Sequence, residues 1–298
     1  MAEIIIIGAA IIDVIARPVS EKVFKTGSCP MDDICMTTGA DALNEALILS
    51  KMGKNVRLEA VFGDDEAGKL IQDQCRKNHI MIEERQIHRE IPTGINVVLV
   101  DENGERCFLT NPNGSLRRLR LEDIRMPFED DAKILCFASI FVFPKIGADE
   151  LLRIFAQAKR QGITVCADMT KCKCGETLEE MKEAFSYIDY LMPNEEEACL
   201  ITGQSDAENA AKSFIKAGVK NVIIKCGKRG CLVMNEYETY MVPAKENACC
   251  IDTTGAGDSF SAGFICALSE GKSLKECAQF ANECGAKAVG VMGATKWL

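Results

Sequence analysis

The sequence predicts an α/β fold, in which a doubly wound, mostly parallel sheet is flanked by helices and carries a small β-sheet lid. Three observations support this prediction. Strand-like apolar runs alternate with amphipathic helical stretches over nearly the whole chain. Glycines and capping residues mark where helices begin and end. Two regions break the alternation, and one of them has the pattern of a β-hairpin.

The predicted core strands and helices follow one another in order. The strands are Glu3–Gly8, Val56–Phe62, Lys133–Ser139, Ile163–Asp168, Tyr187–Met192 and Asn221–Cys226. A helix is predicted from Ala148 to Gln161, where Gly162 ends it. Two further helices are predicted to begin at capping boxes, which are Ser205 with Glu208 and Ser273 with Glu276.

The interrupting regions are residues 11–38, approximately, and 91–113. The first contains Pro18, Gly27 and Pro30 without a helical period, and the second has two strand-like runs around Asn103-Gly104. We expect a small sheet that covers the carboxyl ends of the main strands, where ligands bind in such folds. A surface hairpin without function is the alternative. No linker or repeat divides the chain, so one domain spanning residues 1–298 is expected.

Composition limits the classes of partner. The 298 residues include 35 basic and 44 acidic side chains, a net charge of −9, which argues against nucleic acids and anionic membranes as partners. The apolar start lacks a leading basic region and is interrupted by Gly8 and Asp13, which is typical of a buried strand rather than of an export signal. The 16 cysteines are scattered through apolar segments. We expect reduced thiols and a cytoplasmic location.

The most informative segment is the nine-residue run DTTGAGDSF, residues 252–260. Gly255 and Gly257 permit consecutive N–H groups to converge on an anion, and the dipole of the following helix adds to the same point. Asp258 could then accept a proton from a hydroxyl that attacks phosphorus. The segment therefore indicates phosphoryl transfer to an alcohol. An ordinary helix start with an acidic first turn is the alternative.

The nine residues resemble the signature of the PfkB family of carbohydrate kinases, also called the ribokinase family. Other segments resemble the family in the expected order, from Asp13 through residues 39–46 (GADALNEA) and 194–197 (NEEE). The resemblance implies an ATP-dependent kinase with Asp258 as the general base. The amides of Gly255, Ala256 and Gly257 would stabilise charge that develops on the phosphate.

The resemblance also implies a binding site for the acceptor. Asp13 and Asn44 would bind sugar hydroxyls, Gly39 matches the first glycine of the family segment GGKGANQA, and Ser139 falls near the sugar. Asp41 stands where ribokinases often have lysine. Because an acid there would repel a phosphate, a non-phosphorylated sugar or polyol is expected as the substrate.

Nucleotide contacts are implied for two other segments. Asn194 and Glu197 match an NxxE motif that would position Mg²⁺ and the phosphates, although an asparagine-capped helix start explains the same residues. Lys225, Gly227 and Gly230 resemble the family's TxGxxG loop, with lysine in place of threonine. A basic residue in that loop could contact phosphate oxygens, and the alternative, that Lys228 and Arg229 are exposed turn charges, is expected at least equally.

The C-terminal segment completes the implied set. Asn282 would lie near the adenine. Backbone carbonyls of Ala288, Val291 and Gly293, with Asp252 and the carbonyl of Thr254, fall where many relatives bind a monovalent cation such as K⁺, although Trp297 stands where some relatives supply a hydroxyl ligand. Arg106, which also matches a family pattern, is expected to be a solvated lid charge.

Three alternatives remain. A nucleoside kinase of the same family would bind similar ribose hydroxyls. A sugar or nucleotide sensor would keep the fold without turnover. A dinucleotide-dependent dehydrogenase is disfavoured, since the first strand leads into Gly8-Ala9-Ala10 rather than into GxGxxG. Family members often pair through their lids, so a homodimer is expected.

Overall fold

The computed structural model describes residues 2–245 and 250–298. The strands are β1 (Ile4–Ile7), β2 (Ile11–Arg17), β3 (Asp33–Gly39), β4 (Val56–Glu59), β5 (Phe62–Gly63), β6 (Ile87–His88), β7 (Ile95–Val100), β8 (Arg106–Thr110), β9 (Ile134–Ile140), β10 (Thr164–Met169), β11 (Tyr190–Leu191), β12 (Asn221–Lys225), β13 (Cys231–Asn235) and β14 (Thr239–Val242). The helices are α1 (Asp41–Lys51), α2 (Glu66–Lys77), α3 (Ala148–Arg160), α4 (Leu178–Phe185), α5 (Glu195–Thr202), α6 (Ala207–Lys216), α7 (Ala256–Ser269) and α8 (Leu274–Val289).

A central sheet of eight strands has the order β14-β13-β12-β11-β10-β9-β1-β4. The strands from β12 to β4 are parallel, whereas β13 and β14 are antiparallel at one edge. Strand β1 consists of four isoleucines that are all buried, because it pairs on both sides and is covered on both faces. The predicted doubly wound α/β fold with a mostly parallel sheet is confirmed.

Two apolar cores lie on opposite faces of this sheet. One contains Ile5 and Ile7 of β1 together with the buried faces of α3, α4, α5 and α6. The other contains Ile4 and Ile6 with α1, α2, α7 and α8. The alternation of the four isoleucines between the two cores follows from the two-residue period of a strand.

The predicted elements differ from the structure mainly at their ends. The run predicted as one strand, Val56–Phe62, divides into β4 and β5, and the run Tyr187–Met192 contributes only the two residues of β11. The edge strands β13 and β14 were not predicted. Helix α6 begins one residue later than expected, because Asp206 rather than Ser205 caps it through the Asn209 amide at 2.8 Å. The capping box of Ser273 and Glu276 is confirmed.

The lid is a separate four-stranded sheet with the order β3-β2-β7-β8. Its strands come from the two regions that break the alternation, and Asn103-Gly104 lies in the turn between β7 and β8 as expected. Strand β2 follows β1 after three residues, and β3 leads directly into α1. The lid is therefore tied to the carboxyl end of β1 and to the beginning of α1.

Within the described residues, no helix is long and apolar enough to cross a bilayer. Every cysteine in residues 2–245 and 250–298 is a free thiol, and Cys136, Cys166 and Cys284 are among those that are buried in the cores.

Candidate active site

The beginnings of α1 and α7 meet above the carboxyl end of the central sheet. Asn44 lies in the first turn of α1 and Asp258 in the first turn of α7. The Nδ2 amide of Asn44 donates a hydrogen bond of 2.7 Å to Oδ2 of Asp258. Two residues that are 214 positions apart in sequence are thus brought together, as the resemblance implies for a shared site.

The glycine turn before α7 has amides that can receive an anion. Gly255 has φ of +70°, and a Cβ at this position would overlap Ala294, so glycine is required for both reasons. The Ala256 amide donates a long bond of 3.3 Å to the Thr253 carbonyl. Within the described residues, the amides of Gly255 and Gly257 have no hydrogen-bond acceptor. These two amides and the helix dipole are therefore available to a phosphate group.

A largely buried lysine lies beside this turn. The Lys225 side chain is 16% exposed and forms an ion pair with Asp168, which also accepts a bond of 2.9 Å from the Ser261 hydroxyl. An ideal Cβ on Gly257 would lie 3.7 Å from Lys225 Nζ. The ammonium group therefore lies beside the amides that could bind phosphate.

Asp258 lies in an electrostatic setting that keeps its proton affinity high. The carboxyl is half-buried. Burial raises its pKa above the ordinary 3.8, whereas the Asn44 hydrogen bond and the Lys225 charge oppose the rise. An acid with a raised pKa is a better proton acceptor than an exposed aspartate.

Asp41 and Ser139 bond to one another. The Ser139 hydroxyl donates to Oδ2 of Asp41, whose Oδ1 accepts the Ala42 amide at 2.8 Å. Ser139 is fully buried. Burial and the charge of Asp258 raise the pKa of Asp41 to about 7. Because the two side chains bond to each other, their role in substrate binding stays a prediction.

A cavity of about 590 Å³ lies between the lid and the C-terminal loop. Its walls include Asp13, Asn44, Arg106, Asp252 and Gly293. Asp258 does not form part of this wall. It is hydrogen-bonded to Asn44, which does. Of the residues implied for the acceptor, Asp13, Gly39 and Asn44 thus line a space large enough for a small molecule, whereas Asp41 and Ser139 do not line it.

Asp13 is held at the cavity by neighbouring lid strands. It accepts a bond of 3.2 Å from the Asn96 amide on β7, and burial raises its pKa. A Cβ on Gly39 would overlap the Asp13 carboxylate, which explains the glycine on the adjacent strand β3. Gly39 therefore makes room for Asp13.

Asn194 and Glu197 form the capping box that the alternative interpretation predicts. Each side chain accepts the backbone amide of the other at 2.9 Å. Burial raises the pKa of Glu197 to about 7, although the Lys225 charge opposes the rise. Within the described residues, no group of three or more His, Cys, Asp or Glu could hold a metal. Glu197 has one carboxylate oxygen left, which fits a magnesium ion held mainly by phosphates and water.

The segments implied for the nucleotide meet at the β13–β14 edge. Gly230 has φ of +93°, and a Cβ there would overlap the Val242 carbonyl. The Asn282 amide donates to the same carbonyl at 3.0 Å. Gly227 is exposed with φ of +57°. Of the turn charges, Lys228 is exposed and Arg229 pairs with Glu195 at the surface, as expected.

The carboxylate of Asp252 is surrounded by hydrogen-bond donors. Oδ1 accepts the Thr254 amide at 2.9 Å and the Thr254 hydroxyl at 2.6 Å, and Oδ2 accepts the Gly293 amide at 3.0 Å. The Arg106 guanidinium completes the set as an ion pair with Oδ1. The expectation of a solvated Arg106 is wrong, because this side chain is only 25% exposed and bonded to the core.

Two other residues at the implied monovalent-cation site, Ala288 and Trp297, are engaged within the protein. The Ala288 carbonyl accepts the Val291 amide at 3.3 Å. Trp297 donates its indole N–H to the Ser259 hydroxyl at 3.0 Å. A cation needs oxygen lone pairs directed at it, whereas N–H groups and a guanidinium face Asp252. The arrangement around Asp252 does not fit a bound metal ion.

Sequence reasoning missed three residues of the site. Asn96 stands between Ile95 and Val97 in a lid strand, and Asp168 follows four apolar or small residues of β10. A polar side chain near the carboxyl end of a buried strand is a signal that could have identified Asp168. Glu45, one turn after Asp41, is fully buried, and burial raises its pKa well above the ordinary value. The alternation of apolar residues in α1 conceals it.

Comparison with known proteins agrees with this geometry. The model of the pfkB family of carbohydrate kinases matches residues 1–297. A ribokinase of Arabidopsis thaliana is 28% identical over 86% of this chain and 68% of its own length. A cytidine kinase of Thermococcus kodakarensis is 31% identical over 49% of this chain and 53% of its own length.

Solved structures share the fold over nearly the whole chain. The crystal structure of ribokinase from Thermotoga maritima superimposes with a TM-score of 0.81 at 28% identity, covering 100% of this chain and 96% of that chain. A putative ribokinase II of E. coli, solved with ATP and magnesium, has a TM-score of 0.80 at 21% identity and covers 99% and 95% of the two chains. The chain belongs to the pfkB family of carbohydrate kinases, and the resemblance of its motifs is confirmed.

A substitution at Gly39 tests the placement of Asp13. In Gly39→Ala the new methyl group would overlap the Asp13 carboxylate and displace it. Because a hydrogen bond to a charged group contributes about 1.5–3 kcal/mol, we expect the KM for the acceptor to rise roughly 10- to 100-fold. Steady-state kinetics measures this change. Gly147→Ala, whose methyl group makes only ordinary contacts, is the control. An unchanged KM in the folded Gly39→Ala protein would argue against the role of Asp13.

Proposed function

We propose that this chain transfers the terminal phosphoryl group of ATP to a hydroxyl of a non-phosphorylated sugar or related polyol. The observation that carries the proposal is the Asn44–Asp258 hydrogen bond beside a glycine turn in which the Gly255 and Gly257 amides lack acceptors in the described chain. A base and an anion site are thus adjacent at the beginning of one helix. The whole chain acts as one unit in this proposal, with segments 11–38 and 91–113 as its lid.

Asp258 serves as the general base in the proposed reaction. The acceptor hydroxyl gives its proton to the Asp258 carboxylate as its oxygen forms a bond to the terminal phosphorus. The bond between that phosphorus and the bridging oxygen breaks, and ADP leaves with this oxygen. The amides of Gly255, Ala256 and Gly257 stabilise the negative charge on the transferred group. The Lys225 ammonium group, which lies beside Gly257, adds positive charge.

The acceptor is bound through its hydroxyls. Within the described residues, the side-chain oxygens of Asn44 and Asn96 are buried without a hydrogen-bond donor. Buried acceptors normally have partners, and polyol hydroxyls are suitable donors. Asp13 provides a carboxylate in the same cavity wall, and Asp41 lies at the beginning of α1, where it is bonded to Ser139. This acidic surrounding favours a neutral acceptor over a phosphorylated one.

The nucleotide lies on the other side of the glycine turn in this proposal. Gly227 and Gly230 let the backbone approach ATP, and Asn282 lies beside the adenine. Asn194 and Glu197 lie near the phosphates and help to position them. When it is bound, Mg²⁺ neutralises charge on the terminal phosphates. Of the protein groups, the free oxygen of Glu197 and the Asn194 side chain would contact it, directly or through water.

A nucleoside kinase is the second candidate. The cavity of about 590 Å³ has apolar walls that include Met36, Phe108 and Ile251, which would suit a base attached to ribose. The cytidine kinase relative has this type of acceptor in its name. Both candidates use the same base and the same anion site, so only the acceptor distinguishes them.

Removing the base is the first test. We expect Asp258→Asn to lower kcat by about 10²–10⁴-fold, because a properly placed general base contributes that much. Steady-state turnover measures it. Asp73→Asn, which changes an exposed acid of α2, should have no effect. Full turnover of folded Asp258→Asn would exclude the proposed role.

The pH profile tests the same group independently. Asp258 must be deprotonated to act, and burial raises its pKa above 3.8. We therefore expect kcat/KM to fall as the pH is lowered through this raised pKa and to level off above it. The acidic limb should disappear from the residual activity of Asp258→Asn. A limb that is unchanged in the variant would assign the titration to another group.

An acceptor panel separates the candidates. With ATP, we expect ADP formation with a free pentose or hexose and at least roughly 100-fold lower kcat/KM with its phosphorylated form, since like charges in contact cost several kcal/mol. A coupled ADP assay measures both. Preference for a nucleoside would favour the second candidate. Saturable ligand binding without ADP formation would instead indicate a sensor.

We also propose a homodimer that forms through the lids. Ile34, Met36, Phe108 and Leu109 on the lid strands are each more than half exposed, and exposed apolar groups of this size mark contact surfaces. Sedimentation should give twice the 32.6 kDa mass of the chain. A monomer at micromolar concentration would contradict this proposal.

A further inference from the structure

Arg106 connects the lid to the catalytic turn. It is the first residue of β8, and its guanidinium forms an ion pair with Asp252, 146 positions away. Both side chains line the cavity between lid and core. The side chains are 25% and 13% exposed, so the pair is largely shielded from water. Shielding strengthens the Coulomb attraction between the two charges, and it makes the loss of either partner costly because the other charge would remain buried.

Asp252 transmits this contact to both sides of the glycine turn. Through Oδ1 it holds the amide and the hydroxyl of Thr254, which directly precedes Gly255. Through Oδ2 it holds the amide of Gly293, and Ala294, the next residue, packs against Gly255. One carboxylate thus fixes the two segments that define the position of the turn.

The charge of this carboxylate is already balanced. Burial raises the pKa of Asp252, but its hydrogen bonds to Thr254 and Gly293 and the Arg106 charge together hold the pKa below 3.8. It is therefore ionised at neutral pH and requires a positive charge beside it. An arginine guanidinium is always charged and donates in a fixed geometry. A metal ion at Asp252 would have to displace Arg106.

We propose that Arg106 is a positioning residue that takes the place of a monovalent cation at Asp252. On this account the turn is ordered by closure of the lid and not by an ion from solution. The consequence is twofold. Turnover does not depend on K⁺, and the catalytic turn reaches its active arrangement only when the lid supplies Arg106. Only the statement about turnover rests on the proposed kinase function; the statement that Arg106 takes the place of a cation at Asp252 does not.

The kinetic test compares wild type, Arg106→Met, Arg106→Lys and the control Arg76→Met, which changes an exposed arginine of α2. Activity is measured with KCl and with tetramethylammonium chloride at equal ionic strength. We expect wild-type kcat to differ less than about twofold between the salts. Arg106→Met should lose roughly 10- to 100-fold in kcat, because a charged hydrogen bond to a positioned group is removed. Arg106→Lys should recover part of the loss.

Two further readouts separate positioning from general stability. Millimolar guanidinium chloride should restore part of the kcat of Arg106→Met without affecting Arg76→Met. KCl should restore part as well, because the vacated carboxylate becomes accessible. Melting temperature is the readout that needs no turnover, because an ion that binds the folded protein raises it, and the rise grows with the logarithm of the ion concentration relative to the dissociation constant. We expect K⁺ to raise it in Arg106→Met and not in wild type.

The outcomes that overturn the inference are specific. Activation of wild type by K⁺ of about fivefold or more would show that an ion is required beside Arg106. A K⁺-dependent rise in the wild-type melting temperature would show the same without any assay of activity. Unchanged kcat in Arg106→Met would show that the lid contact does not position the turn. If no acceptor is turned over at all, the proposed kinase function fails, while the melting experiment still decides the cation question.

Discussion

The hydrogen bond between Asn44 and Asp258 is the contact on which the arrangement of the site depends. It joins the first turns of α1 and α7, which begin at opposite ends of the sequence and pack against the same face of the sheet. Because both helices begin at the carboxyl edge of the sheet, their amide dipoles point at one region. The proposed base, the amide proposed to bind the acceptor and the proposed anion site are placed together by the same packing. The lid sheet lines the cavity beside this region, because its strands are joined directly to β1 and α1.

Charge balance is the second constraint on the site. Asp13, Asp41, Glu45 and Asp258 lie around it, and burial raises the pKa of each, with a smaller contribution from neighbouring carboxylates. Lys225 and Arg106 provide positive charge through the ion pairs with Asp168 and Asp252. A bound nucleotide adds further negative charge, which explains why cations are needed on the phosphate side. The acids on the opposite side favour an acceptor without phosphate.

The sequence was sufficient for the parts that local chemistry determines. The alternation of strands and helices predicted the fold class, and the run at residues 252–260 predicted the family. It was not sufficient for partners that only tertiary packing brings together. Arg106 was expected in solvent because nothing near it in sequence shows that Asp252 lies within reach. Asn96 and Glu45 were missed for the same reason. The predicted capping residue of α6 was one residue too early, because Ser205 and Asp206 are both residues that cap helices well.

The most direct test of the account is a crystal structure of Asp258→Asn with ATP, magnesium and an acceptor that the wild type phosphorylates. The substitution keeps the side-chain shape and removes the base, so the complex should persist before transfer. We predict that terminal phosphate oxygens lie within hydrogen-bond distance of the amides of residues 255–257. The acceptor hydroxyl should lie between that phosphorus and residue 258. A nucleotide bound with its phosphates away from this turn, or a hydroxyl out of reach of residue 258, would contradict the central claim.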